Sequence, residues 1–211
     1  MEIKIIVISD THGLHRGLNV PDGDILIHGG DITRKGNISE VKDFNNFIGS
    51  LPHKYKIIIA GNHDFCLENN KEEAVRHLTN CTYLEDSGIE IEGINIWGSP
   101  WQPWFYDWAF NLQRGPEIKK KWDLIPQNTN VLITHGPPHK ILDKTVRNIY
   151  AGCEELYSAI KRIKPKVHIF GHIHEGYGTF SDSETDYINA SICTFNYKPV
   201  NSFIEYIYKK Q

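Results

Sequence analysis

The sequence predicts an α/β protein built on an open sheet, and three observations carry that prediction. Apolar runs of strand length, rich in Ile and Val, recur along the chain, and segments with apolar residues at helical spacing lie between them. Five of the runs end in Asp, His or Asn. Open α/β sheets hold their ligands at the carboxyl ends of their strands, so those endings are where chemistry is expected.

With 211 residues the chain has the size of one domain and can bury a substantial core, so residues 1–211 are expected to form a single globular unit. A hydrophobic fraction of 40% with a net charge of only -3 argues against disorder. No run approaches the length of a membrane span, and the first residues lack a signal peptide's basic region, long apolar stretch and cleavage site. A cytoplasmic protein with no membrane partner is expected. Cys66, Cys81, Cys153 and Cys193 are scattered without zinc spacing and are read as reduced, buried thiols. Basic residues are outnumbered by acids and cluster only at Lys119-Lys120-Lys121, which disfavours polymeric nucleic acid and suits a small anionic substrate.

In chain order, Ile3 to Ile8 is a strand broken in polarity only by Lys4, and it delivers Asp10 and His12, which share a side of an extended segment. Asp24 to His28 is a second strand ending in Gly29-Gly30-Asp31, with His28 inside the strand pattern as a packed support. Ser39 to Ser50 has Val41, Phe44, Phe47 and Ile48 on one helical face, with Ser39 as N-cap. Tyr55 to Ala60 is a third strand and leads into Gly61-Asn62-His63-Asp64, so strand, helix and strand form a right-handed crossover. Lys71 to Leu78 is a further helix, and Ile89 to Glu92 with Ile94 to Trp97 form a hairpin about Gly93.

Two prolines make residues 98–108 an irregular aromatic loop, whose Trp101, Trp104 and Phe105 either stack on a nucleobase or bury the loop against the body. Glu117 to Trp122 is a short helix after Pro116. Asn130 to Thr134 is a strand ending in His135, Cys153 to Ile163 an amphipathic helix stopped by Pro165, and Lys166 to Phe170 a strand ending in Gly171-His172-Ile173-His174. Asp186 to Ala190 and Ser202 to Tyr208 are strand-like and are expected to complete a second sheet without contributing chemistry.

Each ending is weak alone, yet five of the eleven histidines stand at these exits, which structural histidines have no reason to choose. Imidazoles and carboxylates without thiolates suit Mn, Fe, Zn or Ni. The set exceeds the needs of one open catalytic ion and matches two ions sharing a carboxylate.

Asp10-x-His12, Gly30-Asp31, Gly61-Asn62-His63-Asp64, His135 and Gly171-His172-x-His174 together resemble the ordered signature of the calcineurin-like metallophosphoesterases. A closer likeness is to their metallophosphoesterase-domain-containing branch, through residues 9–13, 98–105, 134–138 and 171–178. The resemblance implies a four-layer α-β-β-α sandwich of two mixed sheets flanked by helices. It implies that Asp10, His12 and His174 hold one ion, Asn62, His135 and His172 a second, and Asp31 bridges, with manganese the first expectation and Fe, Zn, Ni or Mg as alternatives. Some members of the branch have lost a histidine of the last motif; both are kept here, which favours full metal loading. In-line attack by a hydroxide bridging the ions follows, with His63 donating to the phosphoryl or leaving oxygen and Asp64 orienting His63.

The superfamily's phosphoprotein phosphatases carry Gly-Asp-x-x-Asp-Arg-Gly, whereas residues 30–36 place Lys35 where the phosphate-gripping arginine would stand. That disfavours a phosphomonoesterase acting on proteins, and the resemblance to the closer branch implies phosphodiesters, cyclic nucleotides among them. Arg34, Arg147 and His139 are phosphate-contact candidates by loop position. A nuclease or phosphomonoesterase is the alternative enzyme and a non-catalytic scaffold the alternative outside enzymes. No sequence feature sets the oligomeric state.

Overall fold

The structure, a computed structural model, describes residues 2–210. Strand β1 (Glu2–Ile8) shows why this chain must build layers: Ile5 and Val7 point to one side, Ile6 and Ile8 to the other, and all four are fully buried. A sheet buried on both faces needs a cover on each.

In the first sheet β1 lies parallel to β2 (Ile25–His28), β2 to β3 (Tyr55–Ile58), and β3 to the short β4 (Thr82–Tyr83). The second sheet is centred on three parallel strands, β6 (Ile94–Ser99), β9 (Val131–Thr134) and β10 (Val167–Phe170). It is extended by β5 (Ser87–Ile91), antiparallel to β6, and by β12 (Asp186–Asn189) with the antiparallel β11 (Gly178–Ser181). Both sheets are mixed, the second through β5 and β11 and the first because β13 (Ile204–Lys209) pairs antiparallel with β1. This last strand corrects the reading of the tail: β12 joins the second sheet as expected, but β13 returns to the first and covers its open edge beside β1.

The inner faces of the two sheets meet in one core, with Ile5, Val7, Ile27 and Ile57 against Ile96, Val131, Ile133 and Ile169. On the outer face of the first sheet lie α1 (Ile38–Ser50), α2 (Phe65–Asn69) and α3 (Lys71–Arg76), with Val41, Phe44 and Ile48 packed on Ile6, Leu26 and Ile58. Burial of each such side chain contributes roughly 1.5–3 kcal/mol. On the outer face of the second sheet α4 (Pro116–Trp122) and α5 (Glu154–Ile163) set Ile118, Trp122, Leu156 and Ile160 against Leu132, Phe170 and Tyr187. Four layers, α-β-β-α, result.

Helix α1 begins earlier than expected. Its N-cap is Asn37, not Ser39, because the Glu40 carboxylate three residues on reaches back to the Asn37 N–H at 3.0 Å, where Ser39 has no such partner. The aromatic loop is less irregular than its prolines imply: it folds back on itself through β7 (Gln102–Pro103) and β8 (Asn111–Leu112). All four cysteines are free, with Cys66, Cys153 and Cys193 buried and Cys81 partly so. Among the described residues no helix is long and apolar enough to cross a membrane.

Candidate metal centre

The parallel strands of both sheets end on the same side of the molecule, and a bridge between Ser9 and Ser191 ties the two sheets together there. The turn out of each strand has to be abrupt. Asp10, His12, Asp31 and His172 all have left-handed φ values, between 45° and 66°, a conformation non-glycine residues rarely hold without compensation. The motif glycines make room for one another's carboxylates: a Cβ on Gly171 would overlap the Asp10 carboxylate, and one on Gly61 the Asp31 carboxylate.

Three donors converge from β1 and β10. His174 Nε2 lies 3.3 Å from Asp10 Oδ1 and 3.2 Å from His12 Nε2. A second trio meets from β3, β9 and β10, with Asn62 Oδ1 2.9 Å from His135 Nε2 and 2.8 Å from His172 Nδ1. Asp31 Oδ2 lies between them, 3.7 Å from His12 Nε2 and 3.5 Å from His135 Nε2. All seven residues that the strand exits single out are therefore gathered at one place. His63 also falls with His12 and Asp31 in a group of convergent donors.

The hydrogen bonds behind these atoms indicate what the centre takes. His135 Nδ1 faces the Gly29 carbonyl at 3.0 Å and His174 Nδ1 the Thr194 carbonyl at 2.9 Å. A carbonyl only accepts, so both Nδ1 atoms carry hydrogen, and each ring in its neutral form directs an Nε2 lone pair inward. Those lone pairs face carboxylates and other acceptors. Imidazole nitrogens and carboxylate and amide oxygens assembled around common points fit divalent cations, with carbonyls holding the outer nitrogens as metal-ligating histidines require.

Electrostatics divide the imidazoles, with burial lowering His12 and His172 and neighbouring carboxylates raising His135 and His174. Burial holds His12 down to about 4 and His172 down to about 3, so both are neutral imidazoles able to ligate. At His135 burial opposes the charged form, but the Asp31 carboxylate beside it prevails and pushes it up to about 9. Burial would raise Asp10, yet its hydrogen bond with His174 and the surrounding imidazoles hold it well below the usual carboxylate range. Backbone and hydroxyl donors finish its coordination: His172 N–H at 3.0 Å and Ser191 Oγ at 3.0 Å.

His63 is held differently from expectation. Its backbone N–H donates to Asp31 Oδ1 at 2.8 Å, its Nδ1–H donates to the Arg34 carbonyl at 2.9 Å, and Trp108 packs on its ring at 4.4 Å. Asp64 does not orient it. The Asp64 carboxylate instead accepts from the N–H groups of Gly61, Ile32 and Thr33 and from the Thr33 hydroxyl, tying the β2 and β3 exits together. Burial and the charge of Asp31 push Asp64 up to about 6. The loop that carries the Arg34 carbonyl is itself fastened by Glu40, which accepts from the N–H groups of Arg34, Lys35 and Asn37.

The substrate-contact candidates divide. Arg34 is exposed and lines, with His12, His15, Ser39, Glu40 and Asp43, a cleft of about 290 Å³ beside the centre. Trp101 turns away from it: its indole N–H donates to Asp86 and Lys121 lies over its ring, so it secures the loop to the second sheet. Trp104 and Phe105 are about half exposed at the loop tip, where Phe105 packs on Tyr106. His139 faces Asp143, Glu154 and Tyr150, none of them a candidate ligand, and Arg147 is exposed on its loop.

Two residues at the centre escaped sequence reading. Trp108 lay in the aromatic loop without distinction, and Tyr197, in the tail, packs edge-on against His12 at 4.8 Å and His174 at 5.6 Å. Neither follows an apolar run, so strand-exit logic had no means of finding them.

Comparison with known proteins adds an independent finding. The calcineurin-like phosphoesterase profile matches residues 3–176. Proteins named metallophosphoesterase domain-containing protein 1, from Homo sapiens and from Mus musculus, are each 46% identical over 223 residues, spanning 94% of this chain and 68% of theirs. A solved crystal structure superposes with a TM-score of 0.71 at 20% identity, covering 93% of this chain and 92% of the other, which bears on the fold alone.

Proposed function

The chain belongs to the calcineurin-like phosphoesterase family, and we propose that it is a dinuclear metal-dependent phosphodiesterase acting on small substrates, cyclic nucleotides or related diesters. The observation that carries this reading is the seam at Asp31, with two trios of acceptors on either side of one carboxylate. Asp10, His12 and His174 would hold one cation, Asn62, His135 and His172 the other, and Asp31 would serve both; manganese is the first candidate. When bound, the cations supply Lewis acidity toward phosphoryl oxygens and an activated water near neutral pH.

The chain's own residues do the rest. With Nδ1–H committed to the Arg34 carbonyl, His63 has Nε2 as its remaining nitrogen, and the protonated ring donates from it to a phosphoryl or leaving oxygen. Asp64 keeps the loops bearing Asp31 and His63 in register through its four hydrogen bonds. The preference for a diester rests on charge. The cleft beside His12 offers one arginine, Arg34, against the carboxylates of Glu40 and Asp43, a lining that suits a singly charged diester better than a doubly charged monoester.

The test is to strip the protein of metal, reload it with Mn, and assay an aryl phosphodiester beside the matching monoester and 2′,3′- and 3′,5′-cyclic nucleotides. The expected result is metal-dependent turnover of the diesters with the monoester slower. Inactivity on every substrate with two ions bound would overturn the enzyme reading, and a monoester preference would overturn the diester one.

A further inference from the structure

The tail beyond β12 contributes a tyrosine to the centre. The Tyr197 hydroxyl lies 3.4 Å from His63 Nε2 and is the hydrogen-bond partner that nitrogen has among the described residues. Since Nδ1 of that ring carries the hydrogen that faces the Arg34 carbonyl, Nε2 of the neutral ring accepts and the phenol donates. The Tyr197 ring stands edge-on to three imidazoles at once, 4.8 Å from His12, 5.9 Å from His63 and 5.6 Å from His174.

This placement is built, not incidental. Tyr197 has φ of 55°, a left-handed conformation uncommon for an aromatic residue. A turn imposes it: Tyr197 N–H donates to the Thr194 carbonyl at 2.8 Å, and Thr194 N–H donates to the Lys198 carbonyl at 2.9 Å. The same Thr194 carbonyl takes the Nδ1–H of His174 at 2.9 Å. One oxygen therefore fixes both a candidate metal ligand and the turn that aims the phenol.

Resting on the phosphoesterase reading above, we propose that Tyr197 is a substrate-contacting residue whose hydroxyl donates to a phosphoryl oxygen of the bound ester beside His63. A phosphoryl group within reach of both His63 Nε2 and the Nε2 atoms of His12 and His174 lies in the space that the Tyr197 ring borders. The hydroxyl then turns from His63 Nε2 to the anionic oxygen, a better acceptor. Tyr197 thus supplies a neutral donor at a site where Lys35 replaces the arginine of the phosphatase pattern and is exposed on its loop.

The test compares wild type with Tyr197→Phe, which keeps the ring packing and removes only the hydroxyl, both reloaded with Mn and checked for metal content. Binding of inorganic phosphate is measured by titration calorimetry, and turnover of an aryl phosphodiester is separated into kcat and KM. The expected result is unchanged metal content, phosphate affinity roughly tenfold weaker, and kcat lower by roughly ten- to hundredfold. Phosphate affinity and kcat both equal to wild type would overturn the proposal, as would a loss of metal parallel to the loss of activity, which would make Tyr197 a mere support of the ligands. If wild type hydrolyses no ester yet binds phosphate, and Tyr197→Phe weakens that binding, the phosphoryl contact stands and the phosphoesterase reading falls alone.

Discussion

The first sheet brings Asp10, Asp31, the amide of Asn62 and the imidazole of His12 to the centre, whereas the second brings three imidazoles, His135, His172 and His174, and no carboxylate. Behind this difference the two sheets share one device. On the outer face of the first, His28 in β2 reaches the Thr11 hydroxyl in the β1 exit at 3.0 Å; on the outer face of the second, His168 in β10 reaches the Thr134 hydroxyl at the β9 exit at 2.8 Å. In each sheet one exit that carries candidate ligands is thus propped by a buried histidine one strand away.

The props are unequal. His28 also accepts the Gly30 N–H at its Nδ1, directly before Asp31, while the His168 Nδ1 has no partner among the described residues. The contrast teaches where the fold is most tightly specified: the carboxylate half holds two buried carboxylates near each other, and it is the half with the additional hydrogen bond. The imidazole half is neutral when ready to ligate and is held more simply.

Asp31→Asn probes the seam and has the largest expected effect. Removing the charge that serves both trios should lower activity by roughly a thousandfold or more and reduce ion occupancy, measured by elemental analysis beside kinetics. His63→Ala should cost roughly a hundred- to thousandfold in kcat with metal content intact, since its ring is anchored by the Arg34 carbonyl and Trp108 and touches the trios only through an edge contact with His12 at 4.5 Å. A loss of metal in that variant would join His63 to the ligands and blur the division drawn here.

The props sharpen the comparison at the level of stability. His28→Leu strands the Gly30 N–H and should destabilise the fold by about 2–3 kcal/mol in denaturant unfolding. His168→Leu should cost about 1 kcal/mol or less, because it removes an unpaired nitrogen and the Thr134 hydroxyl keeps its bond to the Gly136 carbonyl. Equal losses would contradict the inequality.

Acidification provides the gentlest test. Burial holds both His28 and His168 down to about 3, below the usual histidine value of 6.5. The unfolded chain therefore takes up protons that the folded chain refuses once pH falls below 6.5. Stability from these two groups is complete above that value and is lost as pH falls toward 3, by up to roughly 1.4 kcal/mol per pH unit for each group. The double variant His28→Leu with His168→Leu should show a shallower decline between pH 6 and 4.

Much of this was legible in the sequence because the candidate ligands obey one rule: each follows an apolar run, and parallel strands send their ends to one side. The same rule explains what was missed. Tyr197 follows a turn whose position depends on the Thr194 carbonyl, and Trp108 meets His63 only because the loop returns so that Ala109 N–H donates to the Asn62 carbonyl. Both are tertiary events with no local pattern. Asp64 was misassigned because adjacency in sequence suggested contact, whereas its side chain points back toward the β2 exit. The last strand was placed in the wrong sheet because alternation reports a half-buried strand without naming its neighbour.

The central claim is that the two halves act together across Asp31, and metal stoichiometry tests it most directly. Stripped protein is titrated with Mn while bound metal and phosphodiester turnover are followed together. The account predicts two ions per chain, with turnover appearing as the second binds. Saturation at one ion, or full turnover with a single ion bound, would contradict it.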